Sequence, residues 1–101
     1  MKVYLAGPMH GCNDADALDW RTVAARSLHG HDVINPAELA DYRGRESQVD
    51  PHEIVREDLR AIAGCDVVLA NCWRPSYGTA MEIAIADREH CIPVVTIVPD
   101  K

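Results

Sequence analysis

Short apolar runs separated by segments of helical length constrain this chain more than any other feature of its sequence. Val3-Tyr4-Leu5-Ala6 closes at Gly7-Pro8, Val33-Ile34 closes at Asn35-Pro36, Val67-Val68-Leu69-Ala70 follows later, and Val94 to Val98 comes after Pro93. Continuous apolar runs of this length suit parallel strands covered on both faces. Between the first two runs, Asn13 or Asp14 is a suitable helix cap. Trp20, Val23, Ala24 and Leu28 then recur at helical spacing until Gly30. Asp50-Pro51-His52-Glu53 joins an N-cap, a proline at the first helical position and a glutamate three residues after the cap, so a second helix is expected up to about Ala63, with Gly64 as its stop. A third is expected from Thr79 to about Glu89. The order β-α-β-α-β-α-β, with connections of crossover length, implies an α/β domain with right-handed crossovers. A chain of 101 residues has room for one core and not two, so residues 1–101 are read as a single domain. The polar stretch Arg43-Gly44-Arg45-Glu46-Ser47 is read as a loop whose length suits a lid or a partner contact.

Composition excludes several classes of function. A formal charge of -6 opposes binding to a nucleic-acid polymer, which depends on Lys and Arg neutralising phosphates. The apolar runs are far shorter than a bilayer span, and the N-terminus turns polar too early for a signal peptide, so neither membrane insertion nor secretion is expected. Cys12, Cys65, Cys72 and Cys91 form no CxxC pair and suit reduced thiols, which points to the cytoplasm. No cofactor is implied. His29, His31, His52 and His90 lie at turns or helix ends, without zinc-ligand spacing, so no metal site is expected.

Ligands of open parallel sheets bind beyond the carboxyl ends of the strands, which directs attention to the segments after each run. Gly7-Pro8-Met9-His10-Gly11 is either a plain turn or a loop that lets an anion approach the backbone. Ser76-Tyr77-Gly78-Thr79-Ala80-Met81-Glu82 places a carboxylate near the entry of an apolar helix. Glu82 shares a face there with Gly78, Ile85 and Ala86 and has no Lys or Arg three or four positions away. The spacing from Thr79 to Glu82 also fits a capping box, in which the glutamate only satisfies backbone donors. Asp58 is similarly placed among Ile54, Val55, Ala61 and Ile62, whereas Glu53 can pair with Arg56 and Glu57 with Arg60. A carboxylate on an apolar flank either reaches solvent or has a partner, because burying it alone is costly. Trp20 is read as core, and Trp73 as either a base-stacking residue or a cover for the sheet edge.

Together these residues resemble the nucleoside 2-deoxyribosyltransferase family and its relatives, the 2'-deoxynucleoside 5'-phosphate N-hydrolases. The likeness is carried by Val3-Tyr4-Leu5-Ala6-Gly7-Pro8-Met9, by Gly30-His31-Asp32-Val33-Ile34-Asn35-Pro36-Ala37-Glu38, by Glu57-Asp58-Leu59 before Cys65-Asp66-Val67-Val68, and by Ser76 to Glu82. The resemblance implies a small Rossmann-like or flavodoxin-like three-layer fold with a mainly parallel sheet of four to five strands. It also implies that Glu82 attacks C1' of a deoxyribose, that Asp58 transfers a proton to the leaving base and that Tyr4 orients the nucleophile. The first helical turn is expected to keep Glu82 ionised. The substrate contacts expected are Gly7, Pro8, Met9, His10, Gly11, Ser76 and Gly78. Transferases of the family tend to carry aspartate where this chain has Ser76, while the hydrolases carry serine, which can donate to a 5'-phosphate. The expected activity is therefore hydrolysis of a 2'-deoxyribonucleoside 5'-monophosphate, with base exchange on deoxynucleosides or a non-catalytic nucleotide sensor as alternatives. The chain departs from the hydrolase pattern at Pro8 and His10, where those proteins usually have Ser and Arg, and family members usually continue past the last strand. By the same likeness a homodimer or larger assembly is expected.

Overall fold

Residues 1–9, 13–36 and 51–98 are described by a computed structural model of the chain. In chain order the elements are β1 (Lys2–Ala6), α1 (Asp14–Ser27), β2 (Asp32–Ile34), α2 (Pro51–Ala63), β3 (Val67–Asn71), α3 (Tyr77–His90) and β4 (Val94–Ile97). The four strands form one sheet in the order β2-β1-β3-β4, and every pairing is parallel. Val3 lies opposite both Val33 and Val67, and Leu69 opposite Val95. From β1 the chain steps outward to β2, then crosses back over β1 to β3 and on to β4. Since parallel crossovers are right-handed, α1 lies on one face, with α2 and α3 together on the other. The strand order reverses between β1 and β3, and a crevice opens at the carboxyl end of such a switch point.

Strand alternation divides the core between the two faces. Tyr4 and Ala6 of β1 and Val68 and Ala70 of β3 join Ile62, Cys65, Ala86 and Ile92 in one buried cluster on the α2–α3 side. Val3 and Leu5 are buried on the opposite side. The expected stripe of α1 needs correction. Ala17 and Arg21 are its buried line, while Val23 is largely exposed. Positions 17, 21, 24 and 28 form the true helical stripe, and an arginine within it disguised the register. Trp20, Val23, Ala24 and Leu28 border an open apolar groove of about 530 Å³ against Leu69 and Ile97. No helix among the described residues is long and apolar enough to cross a membrane. The Arg43 to Ser47 stretch, Asp50 and Cys12 lie outside the described residues.

Helix ends follow local chemistry. Asn13 is the N-cap of α1, its side chain accepting from the Asp16 amide at 2.8 Å. Gly30, at φ 90, provides the left-handed turn before β2. Helix α3 ends with Cys91 in the left-handed region (φ 52, ψ 36), while the Ile92 amide donates to the Ala86 carbonyl at 2.8 Å. This is the position glycine usually fills in such a terminus. Cys91 is exposed, so its side chain contributes little packing to set against that conformation. Cys91→Gly is expected to stabilise the fold by about 0.5–1 kcal/mol, the usual gain when a Cβ is removed from a left-handed residue. Urea unfolding checks this through a higher midpoint at unchanged slope.

Candidate active site

The carboxyl side of the sheet brings together groups far apart in the sequence. Tyr4 is fully buried on β1, and its hydroxyl donates a hydrogen bond to Oε2 of Glu82. Glu82 is only 8% exposed and belongs to the buried line Thr79, Glu82, Ala86 of α3. That spacing of three and four residues lays the glutamate directly on the sheet face that carries Tyr4.

The capping-box reading of Thr79 and Glu82 is not what the fold uses. Ser76 is the N-cap, its Oγ accepting from the Thr79 amide at 3.3 Å, and α3 begins at Tyr77, two residues earlier than expected. Glu82 therefore lies in the second turn, and its carboxylate faces Tyr4 rather than the backbone. The first-turn dipole expected to keep it ionised does not apply, since that effect fades within one turn. Burial acts in the opposite direction. It raises the Glu82 pKa from 4.5 to about 7, with the donated Tyr4 hydrogen bond lowering it, Asp58 raising it and Arg21 lowering it.

Asp58 on α2 behaves similarly. Burial pushes its carboxyl up to about 6, against the pull of Arg21 and with a small push from Glu57. Repulsion between the two site carboxyls falls on Glu82, the later of the two to ionise. Glu57, as expected, reaches Arg60, at 4.0 Å and near the solvent. Tyr4 is raised well above the ordinary phenol range by burial and then by the charges of Glu82 and Asp58, so it remains a hydrogen-bond donor throughout the working pH range.

Arg21 is the charged residue that sequence reasoning missed. Fully buried on α1, it donates through Nη1 to the Ala17 carbonyl and through Nη2 to the Gly7 carbonyl at 2.9 Å, and its guanidinium lies 4.7 Å from the Trp20 ring centre. A basic residue at the centre of the stripe Ala17, Ala24, Leu28 was the available signal. Gly7 is constrained by the same neighbours. A Cβ there would lie 2.6 Å from Cζ2 of Trp20 and 3.4 Å from Nη2 of Arg21. The glycine thus serves the close approach of α1 to the end of β1.

The remaining candidates are dispersed. Pro8 is fully buried, Met9 half-buried, and His10 and Gly11 lie outside the described residues. Gly78 is exposed in the first turn of α3, 3.9 Å from the Ser76 hydroxyl when a Cβ is placed on it. Trp73 follows β3 and carries the Arg74 guanidinium 5.3 Å from its ring centre. With Trp20, Asp16, Asp19 and Asn71 it borders a shallow cleft of about 340 Å³. The larger apolar groove beside α1 lies across the sheet from Glu82. Cys65, Cys72 and Cys91 are free thiols. Among the described residues no group of three or more His, Cys, Asp or Glu is placed to hold a metal ion.

Comparison with known proteins agrees with the fold. A family model described as nucleoside 2-deoxyribosyltransferase matches residues 3–100. The putative 2'-deoxynucleoside 5'-phosphate N-hydrolase 1 of Thermofilum pendens is 34% identical over 84 residues, covering 83% of this chain and 59% of that protein. Among solved structures, a conserved protein from Enterococcus faecalis superposes with a TM-score of 0.78 at 26% identity, over 99% of this chain and 64% of the other. A 2-desoxiribosyltransferase from Leishmania mexicana gives 0.72 at 18% identity, over 98% and 65%. The 2-deoxyribosyltransferase of Bacillus psychrosaccharolyticus gives 0.69 at 22%, over 98% and 73%. At these identities the last two establish the fold alone. The chain spans 59% of the length of its curated relative.

The raised carboxyls set a pH dependence of stability. A carboxyl whose pKa is higher in the folded chain takes up a proton on folding, so its burial costs nothing below the unfolded value and costs most above the folded one. For Glu82 that window runs from 4.5 to about 7. The melting temperature should fall as pH rises through it, and Glu82→Gln should flatten the decline. Thermal melts of both proteins at pH 5 and 7.5 check this; equal declines would contradict it.

Proposed function

The chain belongs to the nucleoside 2-deoxyribosyltransferase family, and on that premise we propose that it hydrolyses the N-glycosidic bond of a 2'-deoxyribonucleoside 5'-monophosphate, with Glu82 as nucleophile. The supporting observation is the buried Glu82 carboxylate, held by the Tyr4 hydroxyl and within the electrostatic reach of Asp58, at the end of the sheet where its order reverses. Glu82 attacks C1', the bond to the base nitrogen breaks, and the leaving nitrogen takes the proton of Asp58. Water then attacks C1' of the glycosyl ester, returning Glu82 as carboxylate and giving its proton to Asp58. Free base and deoxyribose 5-phosphate leave. This is the double-displacement course of retaining glycosidases.

Nucleotide and hydrolysis are favoured over nucleoside and transfer by two features. The curated relative is named as a 5'-phosphate N-hydrolase. Ser76 caps α3 by accepting a hydrogen bond, so its own proton remains to be donated. Beside it, the early amides of α3 form a helix N-terminus, which favours a phosphate.

The acid strengths shape the activity. Reaction needs Asp58 protonated and Glu82 ionised, yet Glu82 is the weaker acid, at about 7 against about 6. The profile is a bell centred between those two values, with limbs that belong to the pair.

Incubation with deoxynucleosides and their 5'-monophosphates, with and without an acceptor base, tests the reading. Free base from the monophosphate alone is the expected result. Exchange that requires an acceptor would make the protein a transferase, and binding without turnover a sensor. Glu82→Ala should lower turnover by at least about 10³-fold, as loss of a nucleophile does. Asp58→Asn should remove the alkaline limb. Turnover that survives Glu82→Ala would refute the mechanism.

A further inference from the structure

Buried polar atoms are hydrogen-bonded in all but a few cases, and an exception beside a functional group calls for a partner from outside the chain. Thr79 on α3 carries such an atom. The residue is 5% exposed, and its Oγ1 has no hydrogen-bond partner among the described residues. A helical threonine commonly turns its hydroxyl back to a carbonyl of the preceding turn, as Thr22 of α1 does to Leu18 at 3.2 Å. Thr79 makes no such bond, and its amide is already taken by the Ser76 hydroxyl at 3.3 Å.

Thr79 and Glu82 belong to one buried line of α3, so the hydroxyl stands one turn ahead of the carboxylate that meets Tyr4. Each step of three residues advances about 4.5 Å along a helix, which puts Thr79 midway between the Ser76 cap and Glu82. With C1' at Glu82 and the 5'-phosphate at the first turn, as proposed above, the part of the nucleotide alongside Thr79 is the sugar ring. A 2'-deoxyribose keeps one ring hydroxyl, at C3', and that group both donates and accepts, as a threonine hydroxyl does. From this placement we propose that Thr79 is a substrate-binding residue, whose hydroxyl exchanges a hydrogen bond with the 3'-hydroxyl of the bound deoxynucleotide. One staggered step of χ1 exchanges the places of its hydroxyl and methyl, within the two rotamers open to a helical threonine. The bond forms when the sugar is in place, so binding relieves a cost that the unliganded fold carries. The contact selects a nucleotide whose 3' end is free. The inference rests on the roles given above to Glu82 and Ser76.

Thr79→Val keeps the shape and removes the hydroxyl, whereas Thr79→Ser keeps the hydroxyl. Each is compared with wild type on a 2'-deoxynucleoside 5'-monophosphate and on its 2',3'-dideoxy counterpart, so that intrinsic reactivity cancels within each substrate. Thr79→Val should lower kcat/KM about tenfold on the first, the usual effect of losing one hydrogen bond, and stay within about twofold of wild type on the second. Thr79→Ser should remain within about threefold on both. Equal losses on the two substrates, or no loss on either, overturn the proposal and leave Thr79 as a packing residue. Thermal melting without ligand gives a second reading that needs no turnover. Thr79→Val should melt no more than about 2 °C below wild type, because an unpartnered hydroxyl adds nothing to the folded chain. A larger fall, or failure to fold, would reveal a partner within the fold and also overturn it. If the wild type cleaves neither compound, the proposed activity fails and this inference with it; cleavage by wild type without the expected difference sinks the role of Thr79 alone.

Discussion

The hydrogen bond from Tyr4 to Glu82 is the interaction around which the rest of the molecule is arranged. It joins the first strand to the last helix, in a place where Tyr4 meets no water and Glu82 very little. An acidic side chain can be buried there because a phenol faces it, and the phenol can be buried because a carboxyl accepts its hydrogen bond. Each satisfies the other, so the pair is a joint in the fold and, in the proposed reaction, its chemical device as well. Its surroundings follow from that double duty. The neighbouring positions on α3 are Thr79 and Ala86, small enough to let the helix approach the strand, and Val68 and Ala70 close the space beside Tyr4 without adding charge.

Much of the fold could be read from the chain. The apolar runs, the glycine and proline punctuation and the crossover lengths led to four parallel strands and three helices, and the elements fall within a residue or two of their expected limits. Two things escaped. In α1 the presence of Arg21 on the buried line drew the stripe toward Val23, because a hydrophobic pattern scores an arginine as outward-facing whatever its environment. In α3 the true cap, Ser76, and the false one, Thr79, stand three residues apart, and both hydroxyls satisfy a capping rule. Only the backbone conformation of Ser76, extended at φ -151, distinguishes them.

At the site, local spacing left Glu82 as a helix cap or a catalyst, and Asp58 as a boundary residue or a partner. What decides their surroundings is contact across the sheet between residues 78 positions apart, which no window of sequence can contain. The unusual acid strengths arise in the same way. They come from burial and from charges on other elements, and the sequence-level argument from the helix dipole had the wrong sign because it considered α3 alone.

Strand order gives the molecule a division of labour that bears on how such proteins diversify. Tyr4, Asp58, Glu82 and Arg21 all stand on regular elements, β1, α2, α3 and α1, which flank or form one sheet. The turn that leaves β3 runs on beyond that frame. If the proposed reaction holds, replacements there exchange one ligand for another and leave the joint beneath in place, whereas a change to Tyr4 or Glu82 alters fold and chemistry at once. A lineage built on this plan can drift in what it recognises while inheriting how it reacts.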